Sequence, residues 1–105
     1  MLLGLQSHIE SIKLQLVEKY KPDKIILFGS AARGDATIDS DADFLIIKKD
    51  TPYKGRDRII EVSRLIERDI PVDFFVYRPE EFEKRLAMGD PFLEMIVTEG
   101  KVLYG

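Results

Sequence analysis

The chain has 105 residues, of which 16 are Lys or Arg, 19 are Asp or Glu and one is His, so its formal net charge is −3 at pH 7. A chain of this length forms one hydrophobic core, so we expect a single domain over residues 1–105 and exclude a large multidomain enzyme. A hydrophobic content of 45% is too high for a disordered tail, and the absence of Cys excludes disulfides, thiolate metal sites and a thiol nucleophile.

Charge and hydropathy favour a cytoplasmic protein. The mildly acidic balance provides no overall attraction to nucleic acid or to an anionic membrane, so we expect neither as a direct partner. The longest fully apolar runs, Ile25–Phe28 and Phe44–Ile47, fall far short of the roughly 18 residues that a membrane helix requires. The lack of Cys is compatible with a reducing compartment.

The first half of the chain predicts alternating helices and strands. Apolar residues recur at three- and four-residue steps over 3–20 and predict an amphipathic helix, which a Lys-Pro-Asp sequence ends. The apolar run 25–28 predicts a strand buried on both faces. We expect a short helical turn over 31–34, an irregular polar segment over 35–42 and a second strand over 43–47.

The second half of the chain continues the alternation. A helix over 55–68 is predicted to place Ile59, Val62, Leu65 and Ile66 inward and Arg58, Glu61, Arg64 and Glu67 outward. A third strand over 71–77, helices over 79–88 and 91–99, and an edge strand over 102–104 follow. The order α-β-α-β-α-β-α-α-β indicates an α/β (α+β) domain, a small mixed sheet with helices packed on it.

Two acids stand together at the start of the second predicted strand. Asp41 and Asp43 are two residues apart, so their carboxylates point to the same face. Two anions this close repel and raise each other's pKa, and a divalent cation removes that penalty. Oxygen-only ligands select a hard ion such as Mg²⁺ or Mn²⁺.

A third acid lies within the third predicted strand. Asp73 has only apolar neighbours, and an isolated buried charge is costly, so it requires a partner such as Arg33 or a metal. If its strand lies beside that of Asp43, the three carboxylates can hold two metal ions, the arrangement used for in-line displacement at phosphorus.

A Gly-Ser pair follows the first predicted strand and predicts a phosphate cradle. Gly29 allows the backbone to approach a bulky anion, and Ser30 offers a hydroxyl at the start of a helical turn whose free N–H groups attract phosphate. Ten residues separate the pair from Asp41, so adjacent elements carry the cradle and the acids.

Three motifs together resemble those of the nucleotidyltransferase superfamily of DNA polymerase β, and within it those of the minimal nucleotidyltransferases. They are Gly29-Ser30-Ala31-Ala32-Arg33-Gly34, Ser40-Asp41-Ala42-Asp43 and Val72-Asp73-Phe74. The resemblance covers essentially the whole chain and implies a polymerase β-like fold in a single minimal nucleotidyltransferase domain.

The resemblance also implies roles for individual residues. Asp41 and Asp43 would bind two Mg²⁺ ions, and Asp73 would bind the catalytic one and help to activate the attacking hydroxyl. Gly29 and Ser30 would hold the β- and γ-phosphates of ATP, with Arg33 as a further nucleotide contact or a structural ion pair. A nucleoside monophosphate would be transferred and pyrophosphate released.

Minimal nucleotidyltransferases are commonly paired with a HEPN-domain toxin, so the resemblance implies an antitoxin that transfers AMP to a tyrosine of such a partner. Two alternatives stay open: a catalytically weak or inactive module that neutralises a HEPN partner by binding it, and a nucleotidyltransferase for small molecules such as antibiotics. We expect a homo- or hetero-oligomer, because so small a domain gains stability from association.

Two other motifs are imitated but not completed. An EF-hand loop beginning at Asp39 would require Gly where Phe44 stands. A P-loop beginning at Gly29 would require Lys where Asp35 stands.

Overall fold

The computed structural model describes residues 2–36 and 41–105. Within these ranges, four strands form one mixed sheet in the order β3-β2-β1-β4. The elements are α1 (Leu2–Gln15), a π-helical turn (Leu16–Tyr20), β1 (Lys24–Phe28), α2 (Ser30–Arg33), β2 (Ala42–Ile47), α3 (Gly55–Leu65), β3 (Val72–Tyr77), α4 (Pro79–Ala87), α5 (Pro91–Glu99) and β4 (Lys101–Tyr104). The order of elements and the α/β (α+β) class predicted above are confirmed.

The first helix ends where the sequence predicts, and its last turn is π-helical, which is wider than an α-helical turn. α1 passes directly into the π-helical turn, and the Lys21 amide donates to the Leu16 carbonyl over 2.8 Å. Lys21 adopts a left-handed conformation with φ 58°. Pro22 disfavours α-helical geometry in the residue before it, which explains the termination at this point.

The central strand β2 is parallel to β3 and antiparallel to β1, while β4 pairs with β1 and forms one edge. The apolar run of β1 is explained by this position, since helices cover both faces of the sheet and alternate residues enter two different cores. One face packs against the first helix and α3, and the other against α4 and α5. The first core includes Leu16, Ile25, Phe44, Ile46 and Val62, and the second includes Ile26, Phe28, Leu45, Leu93 and Ile96.

The predicted orientation of α3 is partly wrong. Arg58 was expected on the solvent side, but its side chain is buried and only 3% of the residue is exposed. Ile59 and Leu65, expected inside, are 36% and 37% exposed, while Val62 is buried as predicted. The helix turns Arg58 inward because backbone carbonyls and a carboxylate satisfy its guanidinium there.

No helix among the described residues is both long enough and apolar enough to cross a membrane.

Candidate active site

Strand register places three predicted site positions in a row across the sheet. Phe28 pairs with Asp43, and Asp43 pairs with Asp73, so Gly29 at the end of β1 stands beside Asp43, which stands beside Asp73. Neighbouring strands are about 4.8 Å apart. The condition stated for Asp73, that its strand lie beside that of Asp43, is therefore met.

Asp43 lies at the centre of this row and carries the most perturbed carboxyl group. Burial raises its pKa to about 6, assisted by the charges of Asp73 and Asp41 and by a side-chain hydrogen bond with Asp73. The positive charge of Arg33 acts in the opposite direction. A carboxylate pair of this kind shares a proton or holds a cation, because two adjacent anions repel.

Asp41 and Asp73 are more open to solvent than Asp43. Asp41 lies just before β2 and is exposed, and Asp73 is also exposed although its strand neighbours are apolar. The expectation that Asp73 is a buried charge is thus wrong, because it lies on the edge strand β3. Ser40 and the rest of 37–40, including Asp39, lie outside the described residues.

Two features require glycine at position 29: its backbone conformation and the close approach of Asp43. Its φ of +76° is one that L side chains rarely adopt, and a Cβ added there would lie 2.5 Å from Oδ2 of Asp43. The glycine therefore lets the turn after β1 pass directly against a carboxylate of the site.

The turn that follows Gly29 begins a single helical turn, α2. The amides of Ala32 and Arg33 both donate to the Gly29 carbonyl at 3.1 Å. Ser30 is the first helical residue and is half-buried. The predicted helical turn after the Gly-Ser pair is confirmed, and it presents its N-terminal end beside the Asp43 carboxylate.

Arg33 ends α2 and faces solvent. It forms ion pairs with Asp35, at 3.5 Å, and with Glu99 of α5, at 3.9 Å. The predicted ion pair between Arg33 and Asp73 is not among its contacts in the described part of the chain. Arg33 nevertheless lowers the pKa of Asp43, so its charge reaches the site.

An aromatic cluster lies behind the carboxylates, and sequence reasoning missed it. The rings of Phe28, Phe75 and Phe92 lie 5.4–5.6 Å apart between centroids. Phe28 is opposite Asp43 in register, and Phe75 follows Asp73 by two residues on the same face. The only sequence signal was that phenylalanines occur next to the site motifs in two strands. The cluster lies on the face of the sheet to which Asp43 also points.

The donor set suits a hard divalent cation. All predicted ligands are carboxylates, and their mutual repulsion favours a positive charge between them. In residues 2–36 and 41–105, no three acidic, His or Cys side chains are already gathered around one point. An ion bound here would be held by Asp43 and Asp73, whose side chains already meet, together with the exposed Asp41.

Carboxylates lie beside a Gly-Ser turn at one end of a mixed sheet covered by helices, as expected for a nucleotidyltransferase. The chain belongs to the nucleotidyltransferase domain family, whose model matches residues 9–104.

Relatives agree with this family. The chain is 37% identical over 83 residues to a protein of Methanocaldococcus jannaschii whose name proposes a protein adenylyltransferase, and the match covers 77% of each chain. A second protein of that organism, with a name of the same kind, is 37% identical over 68 residues, which are 62% of this chain and 69% of the other.

A solved structure supports the fold. A crystal structure from Sulfolobus solfataricus, described as a proposed nucleotidyltransferase, superposes with a TM-score of 0.57 and 32% identity, over 76% of this chain and 78% of the other. The predicted family and fold are thereby confirmed.

Proposed function

We propose that this nucleotidyltransferase transfers AMP from ATP to a hydroxyl group of a partner protein in a Mg²⁺-dependent reaction. The observation that carries the proposal is the register that sets Asp43 beside Asp73 and next to the Gly29 turn. The names of two relatives, which propose protein adenylyltransferases, support a protein as the acceptor.

In this proposal, the residues on the β1 side of the row bind phosphate and the three acids bind metal ions. The N-terminal end of α2, with Gly29 and Ser30, would bind the β- and γ-phosphates, and Arg33 would add a positive charge. Asp41, Asp43 and Asp73 would hold two Mg²⁺ ions, or Mn²⁺ in their place. When bound, such ions neutralise the charge that develops on the phosphate oxygens.

The transfer is a single displacement at phosphorus. The acceptor oxygen forms a bond to the α-phosphorus of ATP while the bond from that phosphorus to the bridging oxygen breaks, and pyrophosphate leaves. The exposed Asp73 carboxylate accepts the hydroxyl proton and passes it to solvent.

We extend the proposal to the partner. The motifs resemble those of minimal nucleotidyltransferases that act on HEPN-domain toxins, so we propose a tyrosine of a HEPN protein as the acceptor and an antitoxin role for this chain. Because the reaction consumes ATP, we place it in the cytoplasm.

The experiment is transfer of radiolabel to a HEPN protein encoded in the same genome. With Mg²⁺ and α-³²P-ATP, the partner should gain label and the mass of one adenylate, whereas γ-³²P-ATP should leave it unlabelled. Asp43→Asn and Asp73→Asn should each reduce labelling by about 100-fold or more, because each removes one carboxylate of the row.

Two outcomes would contradict this function. Labelling that survives both substitutions in folded protein would show that the row is not the catalytic centre. A HEPN partner that is neutralised without gaining label, equally well by the Asp43→Asn variant, would favour a binding module instead.

A further inference from the structure

Among residues 2–36 and 41–105, no strand pairs with the outer edge of β3. The carbonyls of Pro71 and Tyr77 accept hydrogen bonds from Ala42 and Lys48, so the odd-numbered residues of β3 direct their backbone groups toward β2. Since backbone groups alternate along a strand, residues 72, 74 and 76 direct theirs away from the sheet. β3 is the outermost strand on this side among the described residues.

At one end of this edge a side chain occupies a backbone group of β3, whereas at the other end the backbone groups have no partner among the described residues. The guanidinium of Arg58 donates to the Val76 carbonyl at 3.2 Å, which occupies the far end. The backbone groups of Val72 and Phe74 form no hydrogen bond with another described segment. These two residues flank Asp73, so the free part of the edge surrounds the outermost acid of the row.

A groove continues along this edge beyond Asp73. It has a volume of about 430 Å³, and its lining includes Phe75 and Tyr77 of β3, Tyr53, Ile59 of α3 and Arg85 of α4. Tyr53 is 80% exposed and Ile59 is 36% exposed, so both side chains are accessible to a bound chain. If a chain lay along β3, the groove could therefore receive side chains a few residues away from the residue opposite Asp73.

The direction of the displacement places the acceptor on this side. In-line attack requires the incoming oxygen and the departing pyrophosphate to lie on opposite sides of the α-phosphorus. The proposed phosphate cradle, Gly29 and Ser30, lies on the β1 side of Asp43, and Asp73 lies on the other. With pyrophosphate held at this cradle, we expect the hydroxyl on the Asp73 side, at β3.

We propose that the acceptor binds as an extended peptide that adds a strand to the free edge of β3, with its hydroxyl-bearing residue opposite Asp73. This inference rests on the proposed function, because it names how that reaction receives its acceptor. A residue opposite Asp73 projects to the same face, with Cβ atoms about 5 Å apart. Backbone pairing at residues 72 and 74 holds the peptide, and the groove selects its flanking side chains.

The test measures labelling of peptides together with binding of nucleotide. The acceptor probe is a pool of 11-residue peptides with a central Tyr and random flanks, and the nucleotide probe is α,β-methylene-ATP with Mg²⁺. Tyr53→Ala and Ile59→Glu should reduce peptide labelling by about tenfold or more while leaving nucleotide binding unchanged. Ile60→Glu is the matched control, because Ile60 is 43% exposed on the same helix and does not line the groove.

A second arm leaves the protein unchanged. Pools with N-methylated amides at alternate positions should lose labelling for one of the two alternating sets and keep it for the other, because only one set faces β3.

The outcomes separate this inference from the function on which it rests. If wild-type protein neither binds the nucleotide probe nor labels a HEPN partner, the proposed function fails. If it binds nucleotide but labels no peptide, or if both groove variants label peptides like wild type, the peptide site is wrong and the proposed function stands. A dimer that Ile59→Glu dissociates would assign the edge to a second copy and overturn the peptide site.

Discussion

At the scale of single residues, the site depends on the half-buried carboxyl group of Asp43, which has both apolar and acidic neighbours. The spacing of Asp41 and Asp43 correctly predicted a raised pKa, but it attributed the effect to repulsion between these two acids. Burial is the larger cause and Asp73 precedes Asp41 as a charged neighbour. Sequence spacing could not reveal this, because the strand carrying Asp73 and the phenylalanines behind Asp43 come from distant segments.

Asp43→Asn should stabilise the metal-free protein at neutral pH. In the folded chain the carboxyl holds its proton up to about pH 6, against 3.8 for an ordinary Asp. The free energy of unfolding should therefore fall as pH rises from about 4 to about 6 and then level off. At pH 7.5 in EDTA the variant should be about 1 kcal/mol more stable, a value below full linkage because the side chain is only half-buried.

Urea unfolding at pH 4 and at pH 7.5 checks this expectation. The gain should be absent at pH 4, where both proteins carry a neutral side chain at this position. Asp41→Asn is the control, since its exposed side chain should change stability less. Equal stability of Asp43→Asn and wild type at pH 7.5 would contradict the environment described for Asp43.

Gly29→Ala should cost both stability and activity. The new methyl group would meet Oδ2 of Asp43 at 2.5 Å in a backbone conformation with φ +76°. We expect a loss of about 2–4 kcal/mol in thermal or chemical unfolding, because strain and displacement of Asp43 add.

Gly34→Ala is the matched control for that substitution. Gly34 has a similar φ of +86°, but a Cβ there meets nothing within 4 Å. It should cost only about 1 kcal/mol, the conformational part. If the two variants were equally stable, close approach to Asp43 would not be the reason for the glycine.

At the scale of secondary structure, amphipathic periodicity predicted the first helix and α3 but misjudged the face of α3, while proline and capping signals predicted α4 and α5. Arg58 donates to the Tyr53 and Val76 carbonyls and forms an ion pair with Glu81 at 2.6 Å. Glu81 in turn accepts from the Arg78 amide at the start of α4. These partners come from a loop, a strand and a second helix, so no local pattern could predict that a charged residue replaces an apolar one at this buried position.

Arg58→Met should therefore destabilise the fold although it removes a charge from the interior. Several backbone carbonyls and Glu81 lose their donor, and we expect a loss of about 2–3 kcal/mol at pH 7. Arg56→Met, on the exposed face of the same helix, should change stability by less than about 0.5 kcal/mol.

The pH dependence of Arg58→Met provides a second check. Arg58 lowers the pKa of Glu81 from its ordinary 4.5, so the contribution of this pair is present above that value and is lost as pH falls. The difference between wild type and variant in urea unfolding should thus shrink below about pH 4.5. A difference that stays constant from pH 7 to pH 3 would show that packing, not the ion pair, accounts for the loss.

At the scale of the whole molecule, the order of elements followed from the sequence and the order of strands did not. A short, mostly apolar run predicted each strand. Which strands lie side by side depends instead on which faces bury the most surface together, and that is a property of the complete chain. The prediction for Asp73 was accordingly conditional on strand adjacency. The parallel pairing of β2 with β3 fulfilled that condition.

Mg²⁺ should stabilise the whole domain in a pH-dependent manner. A cation that binds only the folded state adds stability according to its concentration relative to its Kd. The melting temperature should rise with Mg²⁺ at pH 8 and rise much less at pH 5, because the proton retained by Asp43 competes with the ion. Asp43→Asn should show little response at either pH, and an equal response in this variant would place the ion elsewhere.

The pairing of Phe28, Asp43 and Asp73 limits which mutations this sequence can accept during evolution. Side chains alternate between faces, so losing one residue inside β2 would slip the ladder and turn Asp43 into the opposite core. Substitutions along the strand leave that geometry intact, whereas a one-codon deletion does not. Descendants of this sequence should therefore exchange one apolar residue for another in these strands more readily than they change strand length.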